Sequence, residues 1–447
     1  MQLLEHYVRQ MAKCTTSCLL IVPSVDQRIT FSPGAPGAVD HEGCAGQLTV
    51  EGIARTMNDL SQTRIAYRAK HVRARTKAVA ALAAVTLGAT SFAAAGVASA
   101  STRARARVES ARVDHAKKFL ACEVTDTGGI NDRSFNASAY AGLKAAAATD
   151  PAISYRFLSS TSTSDYQPNI SDFISQKCGI IITVGFDMAD ATQAAAKAHP
   201  NQRFAIVDYT YSPALKNVLA LHYDTNEDGF LGGYLAAAMS TTGKVGTFGG
   251  QDIPTVTIYM DGWVAGVRYY DKVNHKHVVA LGWTPAKKRA PGSFAGNGLF
   301  TNDFTNQNLG KQDAETLMAQ GADVIFPVAG SVGLGAAAAV KQAGAGHYME
   351  WVDTDGCVSA PQYCSLFITS VTKGIVPSVE TATLAAARGT FHGGNYIGDL
   401  ANNGVSLSPF HDFASKVPAS VKSALVSLRA GIISGKISTD PNAYPAS

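Results

Sequence analysis

Phe119-Leu-Ala-Cys122-Glu-Val124-Thr-Asp126-Thr-Gly-Gly-Ile-Asn131-Asp132-Arg-Ser134-Phe135-Asn136 is the stretch on which the fold reading turns. A short apolar run stops at a loop of acids, amides and glycines. A polar start at Ser134 then opens an Ala-rich body that reaches Ala148. Strand, polar turn and helix in this order form the unit from which parallel sheets are assembled. The same alternation continues outward along the chain. Strands are expected at Phe119–Val124, Tyr155–Ser159, Ile180–Val184, Arg203–Asp208, Val218–His222, Lys244–Phe248, His277–Gly282, Asp323–Val328, Tyr348–Val352 and Phe367–Val371. Most are continuous apolar runs, as required of a parallel strand covered by helices on both faces. A helix expected over Asp224–Met239 opens with Asp-Thr-Asn-Glu-Asp, acids that suit the positive end of a helix dipole. Ten strands in this alternation predict an α/β protein of two doubly wound lobes.

Composition narrows the function classes. Of 447 residues, 46% are apolar and 16% charged, which excludes an intrinsically disordered chain. The 41 glycines follow no triplet period, which excludes a collagen-like rod. The formal net charge of +4 is carried by the first hundred residues; beyond them 28 basic side chains balance 28 acidic ones. A neutral body argues against a nucleic-acid face built on bulk charge.

The N-terminal region reads as a targeting segment. Arg64–Lys77 is basic without an acid, Ala78–Ala100 carries no charge, and the run ends Ala98-Ser99-Ala100. Basic stretch, apolar stretch and small-x-small site together indicate a secretory signal peptide. Its apolar region is assigned to 77–100, with a retained membrane anchor as the alternative. Residues 1–76 are then expected to be a non-native or disordered extension ahead of the true start, and 101–116 a polar linker. Leu48–Ala69 has a faint likeness to a repressor helix-turn-helix, but Asn58-Asp59-Leu60 lacks the turn glycine. No cysteine follows the apolar segment in a lipidation context, so no lipid anchor is expected.

Cys14, Cys18 and Cys44 lie upstream of the signal, which leaves Cys122, Cys178, Cys357 and Cys364. An even number in an exported chain fits disulfides. Cys122 on the first strand and Cys178 just before the third come within bridging distance if those strands are neighbours. Cys357 and Cys364 span a short Pro-containing loop. Four buried free thiols are the alternative. No metal is expected, because neither C-x-x-C nor paired His spacing accompanies these residues.

Phosphate-loop, nucleophile-elbow, zincin and Ser-x-x-Lys signatures are absent. Gly330-Ser-Val-Gly333-Leu-Gly335 follows a strand, but its spacing departs from the dinucleotide loop, and a tight β–α turn explains it as well. The polar residues at the strand ends carry more information. Besides Asp126 to Asn136 there are Gly185-Phe186-Asp187, Asp208-Tyr209, Gly249-Gly250-Gln251-Asp252, Ala329-Gly330 and Asp353-Thr-Asp355. Ligands of open α/β sheets bind beyond the carboxyl ends of strands, so these would line one cleft. Each single Asp is equally well read as a helix N-cap; their joint placement favours a binding site. Phe135 beside Asn and acids suits a flat polar ring, stacked on one face and hydrogen-bonded at its edge.

These residues also carry a resemblance. Val124-Thr-Asp126-Thr-Gly-Gly-Ile-Asn131-Asp132-Arg-Ser-Phe135-Asn136-Ala-Ser-Ala-Tyr-Ala-Gly142-Leu resembles the opening motif of the basic membrane protein (BMP, PnrA-like) family. The likeness continues through Ile182–Phe186, Phe204–Asp208, Gly229–Ala236, Gly243–Pro254, Gly321–Gly330, Asp353–Asp355 and Thr369–Lys373, covering roughly 117–435 in order. It implies a periplasmic-binding-protein-like type I fold, two lobes joined by a hinge. Lobe one is expected to hold 117–225 and about 355–390, lobe two 226–354 and about 391–447. It also implies an ABC-transporter substrate-binding protein that holds a purine nucleoside and meets a permease and an ATPase, acting as a monomer without cofactor, nucleic acid or catalysis. By motif, Asp126 and Asn131 would face the base and Phe135 would stack on it. Asp208 and Asp353 would accept ribose hydroxyls, and Lys373 would donate to the sugar. The second ring is Phe304, six residues before Gly310-Lys311; Phe294 in Gly292-Ser-Phe294 is the alternative. Trp283–Asn302 reads as an insertion at the pocket edge. A type I transcription regulator and a nucleoside-processing enzyme are the rival readings of the same fold.

Overall fold

The computed structural model describes residues 118–287 and 293–446. The expected extension, signal segment and linker over 1–116 lie outside the described residues. Among the described residues no helix is long and apolar enough to cross a membrane.

Two six-stranded sheets form the body. The first contains β1 (Phe119–Val124), β2 (Ile153–Leu158), β3 (Ile180–Val184), β4 (Phe204–Val207) and β5 (Val218–Tyr223). The second contains β6 (Lys244–Gly249) and β7 (Val279–Leu281); β8 (Trp283–Pro285) and β9 (Gly296–Gly298) form a separate antiparallel pair. β10 (Val324–Val328), β11 (Tyr348–Asp353) and β12 (Phe367–Lys373) complete the central part of the second sheet. Of the two last strands, β13 (Gly394–Gly398) joins the first sheet and β14 (Val405–Leu407) the second. All ten expected strands are present.

The sheets share one plan. Their orders are β13-β5-β4-β3-β1-β2 and β14-β12-β11-β10-β6-β7. Position for position, β1 corresponds to β6, β3 to β10, β4 to β11 and β5 to β12. Every pairing is parallel except β12 with β14, which is antiparallel. In each sheet the order reverses between the first and third strands, which opens a crevice at their carboxyl ends. Alternate residues of β1 serve opposite faces: Ala121 packs with Ala139 and Leu143 of the helix Phe135–Thr149, while Cys122 and Val124 pack with Ile170 and Phe173 of the helix Tyr166–Ser175. Period-two alternation on a two-sided buried strand makes both faces apolar, hence the continuous run in the sequence.

The crossings between lobes fall elsewhere than expected. Phe367–Lys373 falls in the stretch expected in lobe one, but β12 pairs with β11 and belongs to the second sheet. The chain crosses only after Lys373, and the helix Ile375–Ala387 packs on Phe135–Thr149. β13, assigned to lobe two, pairs with β5 in the first sheet, and a third crossing leads to β14. The apolar run of β12 satisfies either sheet; register with β11 decides which. β13 and β14 are short, and Gly-Asn-Tyr-Ile-Gly carries no apolar run to reveal a strand. The three crossings touch: the amide of Asp224 donates to Gly398 O at 2.8 Å and that of Gly374 to Gly404 O at 2.7 Å. Gly404 is required there, since a Cβ on it would lie 2.1 Å from the Cα of Gly398.

Both expected disulfides form. Cys122–Cys178 has a Cα separation of 6.0 Å and Cys357–Cys364 one of 4.5 Å. β1 and β3 are hydrogen-bonded neighbours, which brings the first pair together.

Candidate ligand-binding site

One cavity lies at the carboxyl ends of both sheets. Its lining includes Asp126, Phe135, Asp208, Phe304, Asp353 and Lys373, six of the seven residues expected to hold the ligand. The seventh, Asn131, is exposed and is not among the lining residues. Asn136, five residues on and buried, lines the cavity instead. The loop and the helix N-terminus both offer an amide, and only the turn geometry selects the one that points inward.

At the switch point of the first sheet, Asp126 follows β1 and Gly185–Asp187 follow β3. The Asp126 carboxylate accepts from the Gly128 amide at 2.8 Å and from Asn136 Nδ2 at 2.7 Å. Gly185 (φ 118°) is needed beside it, because a Cβ there would approach Asp126 Oδ2 to 2.9 Å. Asp132 accepts backbone amides of Ser134, Asn136 and Ala137. It therefore caps the helix Phe135–Thr149 and fixes the two residues, Phe135 and Asn136, that the helix start presents. Burial pushes the Asp126 carboxyl up to about 7 against the pull of its Asn136 bond, and the Asp132 carboxyl to about 6 against its three amides.

Asp208 follows β4, and Asp353 ends the corresponding strand β11. Both take left-handed backbone conformations, φ 66° and 65°, which L-residues other than Asn and Asp rarely adopt. Between them lies Lys373 at the end of β12: its Nζ is 2.5 Å from Asp208 Oδ2 and 3.4 Å from Asp353 Oδ1. All three are buried. Burial alone would lower the Lys373 pKa, but the two carboxylates outweigh it and hold the ammonium charged. The hydroxyl of Ser134 donates to Asp353 Oδ2 at 2.7 Å, a second polar link between the lobes.

Phe135 and Phe304 enter from opposite lobes. The Lys373 Nζ stands 5.0 Å from the Phe135 ring centroid. Phe304 lies over Gly250, where a Cβ would meet the ring at 2.1 Å, and Ser331 Oγ donates to its carbonyl at 2.6 Å. Phe294 is not among the lining residues. Tyr259, not among the residues expected from the sequence, lines the cavity from the helix Pro254–Asn274 with its ring 5.1 Å from Lys373 Nζ. It sits in the middle of a helix rather than at a strand end, where no motif marks it. Gly330 and Ser331 line the same cavity, whereas Gly335 is packed against the backbone of Gln307, where a Cβ would meet the carbonyl at 1.8 Å. Close helix packing explains that glycine.

The model of the family described as ABC transporter substrate-binding protein PnrA-like matches residues 119–288 and 299–439. The chain belongs to this family. The unmatched 289–298 fall inside the expected insertion. A CD4+ T-cell-stimulating antigen of Listeria monocytogenes is 31% identical over 317 residues, 67% of this chain and 83% of that protein. The ABC transporter nucleoside-binding protein BmpA of Lactococcus lactis is 28% identical over 333 residues, 71% of this chain and 88% of that one. A solute-binding protein from Aeropyrum pernix K1 superimposes with a TM-score of 0.62 at 24% identity, covering 71% and 92% of the two chains. That likeness shows the fold: the two α/β lobes expected from the alternation of strands and helices, in the periplasmic-binding-protein-like arrangement that the family resemblance implies. A PnrA-like protein is a substrate-binding component of an ABC transporter, not an enzyme, and it works outside the cytoplasm.

Proposed function

We propose that this PnrA-like chain binds a purine nucleoside between its lobes and hands it to the permease and ATPase of its transporter. The observation that carries the reading is the pairing of two aromatic rings, Phe135 and Phe304, from opposite lobes on a cavity whose lining also holds Asp126, Asp132, Asp208, Asp353 and Lys373 beside Tyr259 and apolar side chains. A planar base gains from stacking on aromatic faces, about 1–3 kcal/mol per ring. Asp126 and Asn136 would meet the base edge; Asp208, Asp353 and Lys373 would meet the ribose. With Asp132, Asp187, Asp208 and Asp353 in the lining against Lys373, the cavity repels a phosphate, which favours the nucleoside over its nucleotide. The Lactococcus relative described as nucleoside-binding supports the same class of ligand. Closure of the lobes would bury the ligand and give the permease a distinct shape to recognise.

Calorimetric titration of the full chain, unfolded and refolded to strip carried ligand, tests this. Adenosine, guanosine, inosine, uridine, ribose and adenosine monophosphate form the panel. Micromolar or tighter binding of purine nucleosides, with the monophosphate and ribose silent, is expected. No heat from any nucleoside would overturn the assignment.

A further inference from the structure

The loop beyond the cavity wall contains a cluster that the nucleoside scheme does not use. Asp355, Cys357 and His411 each offer a ligand atom, and these atoms lie within 4.8 Å of one another. His411 Nε2 is 2.7 Å from Asp355 Oδ2. The other Asp355 oxygen accepts the Cys357 amide at 3.0 Å, which caps the short helix Gly356–Ser359 and orients the carboxylate. Cys357 is joined to Cys364, whose Cα is 4.5 Å away. Three donors of the type that zinc prefers, the Cys357 sulfur, an imidazole and a carboxylate, thus converge, and the Cys364 sulfur is bonded to the first of them. In the oxidised protein the sulfurs are consumed by their mutual bond.

We propose that Cys357, Cys364, His411 and Asp355 form a zinc site when the disulfide is reduced, so that the disulfide and the bound metal are exclusive states of one locus. The balance is simple. A dithiol or phosphine reductant delivers two electrons and two protons to the Cys357–Cys364 bond and is itself oxidised. Zinc then displaces one proton from each thiol to solvent and accepts the lone pair of His411 Nε2, the neutral imidazole carrying its proton on Nδ1, beside the Asp355 carboxylate. Tetrahedral zinc at about 2.3 Å from each sulfur needs the sulfurs about 3.8 Å apart, a separation the two side chains must reach by rotating once the bond is broken. The reductant has access: Cys357 and Cys364 are partly exposed, whereas Cys122 and Cys178 are buried at 0% and 3% exposure. None of the four residues lines the cavity.

The test uses the full chain, reduced with a phosphine that is then removed without air, and titrated with Co2+ and Zn2+ alone. One equivalent of Co2+ should give intense thiolate charge-transfer and tetrahedral d–d absorption, bleached by one equivalent of Zn2+. The oxidised chain should give neither. The double variant Cys357→Ser/Cys364→Ser and the single variant His411→Ala should each lose the bands, with circular dichroism confirming their fold. His411→Ala keeps the disulfide and therefore tests the site even if the double variant misfolds. Absence of metal binding by the reduced chain, equal binding by the oxidised chain, or bands retained in the double variant would each overturn the proposal.

Discussion

Lys373, at the carboxyl end of β12 in one lobe, lies 2.5 Å from Asp208, at the end of β4 in the other. The two lobes are thus joined through a buried ion pair at the place where the ligand is proposed to sit. With Asp353 at 3.4 Å on its other side, Lys373 is, among the described residues lining the cavity, the one Lys or Arg that keeps two buried carboxylates from facing each other uncompensated.

Removing that cation should therefore cost stability as well as binding. Lys373→Met is expected to destabilise the ligand-free protein by about 3–5 kcal/mol, the usual result of leaving a buried charge without its partner. Urea unfolding measures it. Adding Asp208→Asn should recover part of the loss, and an unchanged midpoint in the single variant would contradict an ionic pair.

Stacking and edge recognition can be separated in the cleft. Phe135→Ala and Phe304→Ala should each weaken nucleoside binding by about 1–3 kcal/mol in calorimetry. Gly250→Ala should mimic the second, because its Cβ would occupy the space of the Phe304 ring. Asn136→Ala should also weaken binding, while Asn131→Ala, at an exposed position, should bind as the parent does.

Stability should fall as pH rises from about 4 to about 8. Asp132, Asp126 and Glu350 are held up to about 6, about 7 and about 8, in each case mainly by burial. An acid whose pKa is higher in the folded chain binds more protons there. Its contribution is complete below the unfolded value and is lost as pH climbs through the folded one. Thermal melts at constant ionic strength should show this decline, and Glu350→Gln, which can still accept the indole N–H of Trp263, should flatten its upper part.

The two disulfides should differ in weight. Cys122–Cys178 closes a loop across 56 residues and Cys357–Cys364 one across 7. Loop-closure entropy gives about 4 kcal/mol for the first and about 2.5 kcal/mol for the second. Denaturation of the two double Cys→Ala variants tests the order; a larger loss from the short loop would reverse it.

Ten strands, their alternation with helices, both disulfides and most of the cavity lining were legible in the sequence. Continuous apolar runs identify parallel strands because both faces of each are buried, and the polar residues that stop them identify the cleft because strand ends in such sheets converge. Local chemistry suffices for the strands and the cleft; Phe304 and Lys373 were reached through the family resemblance, and the cysteine spacing alone left free thiols open. Tertiary structure alone decided the rest. Register placed β12 beside β11 and sent Gly394–Gly398 back to the first sheet, although neither choice leaves a mark in the apolar pattern. The helix cap made by Asp132 turned Asn136 inward and left Asn131 outside. The meeting of His411 with Asp355 and Cys357 joins side chains more than fifty residues apart, a distance that no local spacing rule spans. Sequence determines what each short segment can bury; which segments then become neighbours depends on hydrogen-bond register and packing across the whole chain.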